Sequence, residues 1–118
     1  MSVYPEHFLT EDIGNRHRFD VGSYTLHSTW YFLKSTDYDT LWVEWEQESQ
    51  DGTQCYAYFE ATDGVSSVNS AAFNTNLLTW QDAGKKTISL AGFNNVLCEF
   101  RLYVNGKGRV RGVTALLT

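Results

Sequence analysis

The chain has 118 residues, with 9 basic and 14 acidic side chains and a net charge of −5. That length holds one domain with one core. The acidic balance gives no counterion-release affinity for DNA or RNA, so nucleic-acid binding would need a local basic patch. No apolar run of ~18 residues is present to cross a membrane as a helix, and Met1–Asp12 lacks the basic start and apolar middle of a secretory signal.

Residues 1–15 carry neither the helical nor the strand period and are read as an N-terminal arm ahead of a β domain spanning 16–118. Arg16–Val21 predicts a short first strand ended by Gly22. Tyr24–Leu33 predicts a second, with Leu26, Ser28, Trp30 and Phe32 on one face. A polar connection follows, in which Asp37 and Asp39 flank Tyr38. It reads as a turn, because no full set of oxygen ligands for calcium follows it.

The run from Thr40 to Thr62 alternates with period two. Leu41, Val43 and Trp45 alternate with Trp42, Glu44, Glu46 and Glu48; Cys55, Ala57, Phe59 and Ala61 alternate with Tyr56, Tyr58 and Glu60. One face belongs to a core and the other to water or a partner. The expectation is a hairpin in the register that sets Trp45 against Ala57, Val43 against Phe59 and Trp42 against Glu60. Its three-residue loop, Gln50-Asp51-Gly52, ends on a left-handed glycine.

Asp63-Gly64 signals a turn, and Val65–Gln81 is ambiguous between a strand with a loop and an irregular helical turn. Lys86–Leu90 predicts another strand. Leu97–Val104 and Arg109–Leu117 are expected to form a closing hairpin around Val104-Asn105-Gly106, with Phe100 opposite Val110, Glu99 opposite Arg111 and Arg101 opposite Arg109. No helical period persists for three turns, and the single proline, Pro5, lies outside every candidate strand. The fold class is all-β: an antiparallel, jelly-roll-like β-sandwich with an N-terminal arm.

Chemistry-bearing motifs are scarce. His7, His17 and His27 recur every ten residues, which is no metal-ligand spacing, and they read as solvent-facing, with His17 and His27 cross-strand neighbours on an outward face. Glu44, Glu46, Glu48 and Glu60 supply paired carboxylates of the kind that hydrolyse glycosides, but alternate charges on one strand are what a solvated sheet face shows. No nucleophile, phosphate or dinucleotide motif occurs. The expectation is no enzyme, no catalytic residue, no cofactor and no metal. Cys55 and Cys98 read as two buried thiols, a disulfide requiring their strands to be neighbours.

What remains is surface. Trp42, Glu44, Tyr56, Tyr58 and Glu60, with Trp80 on a loop, form the candidate partner or glycan face. Flat rings stack on sugar C–H faces and also enrich protein interfaces. Arg101, Arg109 and Arg111 form a charged patch expected to seek an acidic partner in a neighbouring subunit.

The strand pattern of residues 16–117, closing on Val110-Arg111-Gly112-Val113-Thr114-Ala115-Leu116-Leu117, resembles small jelly-roll virion proteins of tailed phages. These are the decoration, head-fibre and tail-tip proteins, and they share that pattern with carbohydrate-binding modules. The resemblance implies a structural virion component, made in the host cytoplasm and forming homo-oligomers or docking on other virion proteins. The alternative it implies is a carbohydrate-binding or lectin-like adhesion protein.

Overall fold

Period-two alternation runs through most of the chain, and the stretches that carry it are extended in the computed structural model, which describes the backbone of residues 7–118 and the side chains from residue 16 onward. The strands are β1 (His7–Leu33), β2 (Thr40–Ser49), β3 (Cys55–Thr62), β4 (Ser67–Asn69), β5 (Phe73–Thr75), β6 (Gln81–Asp82), β7 (Lys86–Ser89) and β8 (Leu97–Leu117). All pairings are antiparallel, in one sheet ordered β4-β3-β8-β2-β6, with β1 on β8, β5 on β3 and β7 on β2. No helix occurs among the described residues.

Length forces this sheet to curl. At about 3.3 Å per residue a straight strand of β1's length would run roughly 90 Å and one of β8's roughly 70 Å. The longest dimension of the molecule is 49 Å. Both strands therefore fold over, and they do so at one level. β8 bends at Gly106, which takes φ +88°, and β1 slips register between Val21 and Thr25. On the other edge of β8, β2 and β3 lie end to end, β3 against Tyr103 and its neighbours and β2 against Gly108–Leu117, parted by residues 50–54. Gln50 ties the corner together: its Nε2 donates to the carbonyls of Phe19 (2.9 Å) and Gly108 (2.8 Å), and its Oε1 accepts from Arg18 Nε (2.9 Å).

The curl makes the core. Leu41, Val43 and Trp45 of β2, Cys55, Ala57, Phe59 and Ala61 of β3, and Phe100, Leu102, Val104, Val110, Val113, Ala115 and Leu117 of β8 are all buried. Phe59 stacks on Phe100 at 4.8 Å, Trp30 leans on both, and Trp45 reaches Phe59 from the other half of the sheet at 5.0 Å. Burying side chains of this size contributes about 1.5–3 kcal/mol each. Gln47, a polar side chain fully buried in this core, is satisfied: it accepts from Trp45 Nε1 (3.0 Å) and donates to the carbonyls of Cys55 (3.1 Å) and Phe73 (3.3 Å).

Several expectations change. Neither hairpin forms. β2 and β3 continue one another instead of pairing, so Trp45 does not face Ala57, and Trp42 lies between Leu116 and Thr87. β8 is one unbroken strand, with Phe100 between Trp30 and Ala61, and Arg111 between Arg16 and Glu46. Alternation names Leu41, Val43, Trp45, Cys55, Ala57 and Phe59 as inward in both layouts, though Glu48 of the outward parity is also buried; it does not name the neighbouring strand. Gly52 and Gly106 are left-handed as expected (φ +86° and +88°), the first in a loop and the second in a bend. Of the supposed arm, residues 7–15 belong to β1, paired with β8, and residues 1–6 lie outside the described residues. A register slip between Leu26 and Ser28 turns Leu26 outward, away from Trp30 and Phe32. Cys55 and Cys98 are buried free thiols, and their strands' pairings set Cys55 against Thr75 and Cys98 against Phe32. Burial raises both thiol pKa values.

Candidate functional site

The curl divides the expected aromatic face. Trp42, Glu44 and Trp80 belong with the β2 half, while Tyr56, Tyr58 and Glu60 belong with the β3 half, so the sequence's single face becomes two patches.

On the β2 half the rings are capped by cations. Lys85 Nζ sits 4.1 Å over the ring of Trp42 and 3.9 Å from Glu44, and the Arg111 guanidinium lies 4.2 Å over Trp80. Beside them Arg111 Nε donates to Glu46 (3.1 Å) and Arg109 Nη1 to Glu48 (3.0 Å).

On the β3 half the tyrosines pack on one another. Tyr58 stacks on Tyr103 at 5.2 Å, and Tyr24 meets Tyr58 edge-on at 5.0 Å and Tyr56 at 6.3 Å. Partial burial, then neighbouring phenols, push the Tyr58 and Tyr24 hydroxyls above the usual tyrosine range, so they stay neutral donors. Arg101 binds Glu60 (3.2 Å) and also Glu99.

The three arginines thus find their acidic partners within the chain, across the ladder of β8: Glu60 opposite Arg101, Glu48 opposite Arg109, Glu46 opposite Arg111. The same pairs occupy Glu46, Glu48 and Glu60 of the carboxylates considered for glycoside hydrolysis, and Lys85 reaches Glu44. Asp39 is likewise engaged, by the buried Lys34 at 3.3 Å.

His17 and His27 do come together, with ring centroids 5.4 Å apart. Ser28 Oγ lies 2.7 Å from His27 Nδ1 and 3.3 Å from His17 Nδ1, and His27 Nε2 is 3.1 Å from the Arg18 carbonyl. Nε2 must donate there, and in the neutral ring Nδ1 then accepts from the serine. His17 is half-buried and packs on Trp30, while His27 is exposed to solvent. The His7 side chain lies outside the described residues. Among the described residues no group of three or more His, Cys, Asp or Glu is placed to hold a metal ion, and no helix is long and apolar enough to cross a membrane.

The surface that sequence reasoning missed is the far edge of β1. Trp42, Tyr56 and Tyr58 are half-buried; the exposed large apolar side chains include Tyr24, Leu26, Tyr31 and Leu33 on β1 and Leu97 beside them on β8, with Tyr31 at 61% and Leu33 at 71% of full exposure. A shallow depression of about 320 Å³, lined by Tyr31, Leu97, Glu99, Arg101 and the Thr62–Gly64 turn, opens on the same surface. The signal was in the sequence as a charge-free run, Ser23–Leu33, in contrast to Arg16–Asp20 before it.

Backbone geometry sharpens this edge. Lys34 N donates to Val96 O at 3.1 Å, which makes 34 and 96 a hydrogen-bonded pair in register with Leu33↔Leu97. In an antiparallel ladder such pairs alternate. Trp30 and Phe32 therefore turn their N–H and C=O groups to β8, and Thr29, Tyr31 and Leu33 turn theirs away. Among the described residues no strand pairs with that side of β1.

No protein-family model, no curated protein and no solved structure matches the chain.

Proposed function

We propose that the protein is a non-enzymatic assembly subunit that joins its partners through the free edge of β1. The observation that carries this is the coincidence of outward-turned backbone groups at Thr29, Tyr31 and Leu33 with exposed Tyr31 and Leu33 side chains. Proteins guard such edges with charge, proline or cover, and Ser23–Leu33 has neither charge nor proline. A tailed-phage virion is the setting the resemblance suggests, and a jelly-roll-like sandwich is the scaffold that goes with it. The curl that brings Trp45 to Phe59 is compatible with such a scaffold.

The carbohydrate reading stands second, because Lys85 and Arg111 sit on the ring faces of Trp42 and Trp80 that a sugar would use. Sedimentation velocity over a concentration series, beside a glycan array, tests the choice. Species larger than a monomer, lost when Tyr31 and Leu33 are both changed to Lys, with a silent array, is the expected result. A protein that is monomeric throughout and binds a glycan gives the carbohydrate reading first place.

A further inference from the structure

Resting on that assembly reading, we infer that the partner at this edge is a second copy of the chain, paired antiparallel to β1 about a two-fold axis through Tyr31.

The register follows from three constraints. An antiparallel pair of identical strands is closed by a two-fold, so the numbers of facing residues have a constant sum. Outward side chains must face outward ones, which along Ser28–Leu33 requires an even sum. Finally, the residues whose backbone groups point away from β8, at 29, 31 and 33, must meet each other as hydrogen-bonded pairs. Placing Tyr31 opposite Tyr31 of the second copy satisfies all three. Thr29 then meets Leu33 of the second copy in both directions, and every outward-turned N–H and C=O of these three residues is bonded.

Charge agrees with this register. No like charges are set opposite one another between Thr29 and Leu33; the nearest flanking charge, Lys34, is buried and paired with Asp39, and Glu99 and Arg101 on β8 pair with each other within each copy. On the outer surface Leu97 and Leu33 of one copy would continue as a row into Thr29 of the other, covering the most exposed apolar side chains of the edge. So short a strand pair lies at the small end of specific interfaces, and association on the order of 10 µM is expected.

Cross-linking reads the register directly. Cα atoms of a hydrogen-bonded antiparallel pair lie ~5.5 Å apart, within the range of about 4.4–6.8 Å that a disulfide spans. Under copper-phenanthroline oxidation, Tyr31→Cys should give a covalent dimer. Thr29→Cys alone should not, and Thr29→Cys with Leu33→Cys should. The native Cys55 and Cys98 are buried and free, so the unmodified protein serves as the blank. In sedimentation Tyr31→Lys, which sets two ammonium groups on the axis, should weaken self-association about 100-fold or more while its melting temperature stays within about 3 °C of the parent.

A Thr29→Cys dimer in place of a Tyr31→Cys dimer overturns the register. Self-association that Tyr31→Lys leaves intact but Tyr31→Lys with Leu33→Lys abolishes overturns the two-fold through Tyr31 while the β1-edge assembly reading stands, and self-association that survives both overturns the edge as well. A parent chain that stays monomeric at every concentration overturns both.

Discussion

Gly108 and Cys55 touch so closely that a Cβ placed on the glycine would lie 2.6 Å from the cysteine Sγ, 2.9 Å from its Cβ and 2.9 Å from the Glu48 carbonyl oxygen. This is the corner where β8 bends and where β2 gives way to β3. Gly108→Ala should cost about 1–3 kcal/mol by overpacking, measured by urea unfolding. Adding Cys55→Ala should not restore the loss, because the Cβ and the carbonyl remain in the way. Gly106 is held twice over, by φ +88° and by Gln54 O at 2.6 Å from its notional Cβ, so Gly106→Val should be at least as damaging. A tolerated Gly108→Ala would mean that the corner is looser than its contacts.

The corner also marks where the sequence stopped being legible. Which side chains face inward followed from alternation alone, since Leu41, Val43, Trp45, Ala57 and Phe59 occupy one parity in any layout. Strand neighbours did not follow. Gln50-Asp51-Gly52 and Val104-Asn105-Gly106 have the composition of hairpin loops, yet each serves as a bend in a path that continues onward. A left-handed glycine is needed in both cases, and what separates them is the long-range pairing of β1 with the whole of β8. For the same reason Arg101, Arg109 and Arg111 read as a patch in search of a partner, while their glutamates wait across a ladder that the sequence did not reveal. Tyr31 and Leu33 escaped notice because an edge strand is defined by what fails to pair with it.

Core truncation should rank the rings by burial. Phe100 is wholly buried against Phe59, so Phe100→Ala should cost about 3–5 kcal/mol. Trp30 is only partly buried beside them, so Trp30→Ala should cost less, about 2–3 kcal/mol. Chemical denaturation of the two variants compares them, and the reverse order would mean that the curl closes further over β1 than the contacts indicate.

Gln47 is the polar keystone of the interior. Gln47→Leu keeps the volume but strands the indole N–H of Trp45 and the carbonyls of Cys55 and Phe73 without this partner. The expected cost is about 2–4 kcal/mol. An unfolding free energy unchanged from the parent would show that these groups find other partners.

Acid should weaken the fold partly through Asp63. Its Oδ2 accepts from the Asn94 amide (2.7 Å), and its Oδ1 from those of Ser66 (2.6 Å) and Val65 (2.8 Å). These amides, Asn94 first, hold the carboxyl below the usual aspartate range. The folded protein therefore takes up this proton less readily than the unfolded chain. The stability it adds is complete above the ordinary carboxylate pKa and is lost as the pH falls through the lower folded value. Asp51 acts in the same direction through the hydroxyl and amide of Thr53. Urea midpoints compared between about pH 6 and about pH 3 should fall for the parent and fall less for Asp63→Asn, which starts lower and has no proton to gain there. The Asn94 bond ties the turn after β3 to the loop before β8, so the variant should also loosen that loop, seen as faster amide exchange at Asn94. An unaltered pH slope in Asp63→Asn would remove Asp63 from the account.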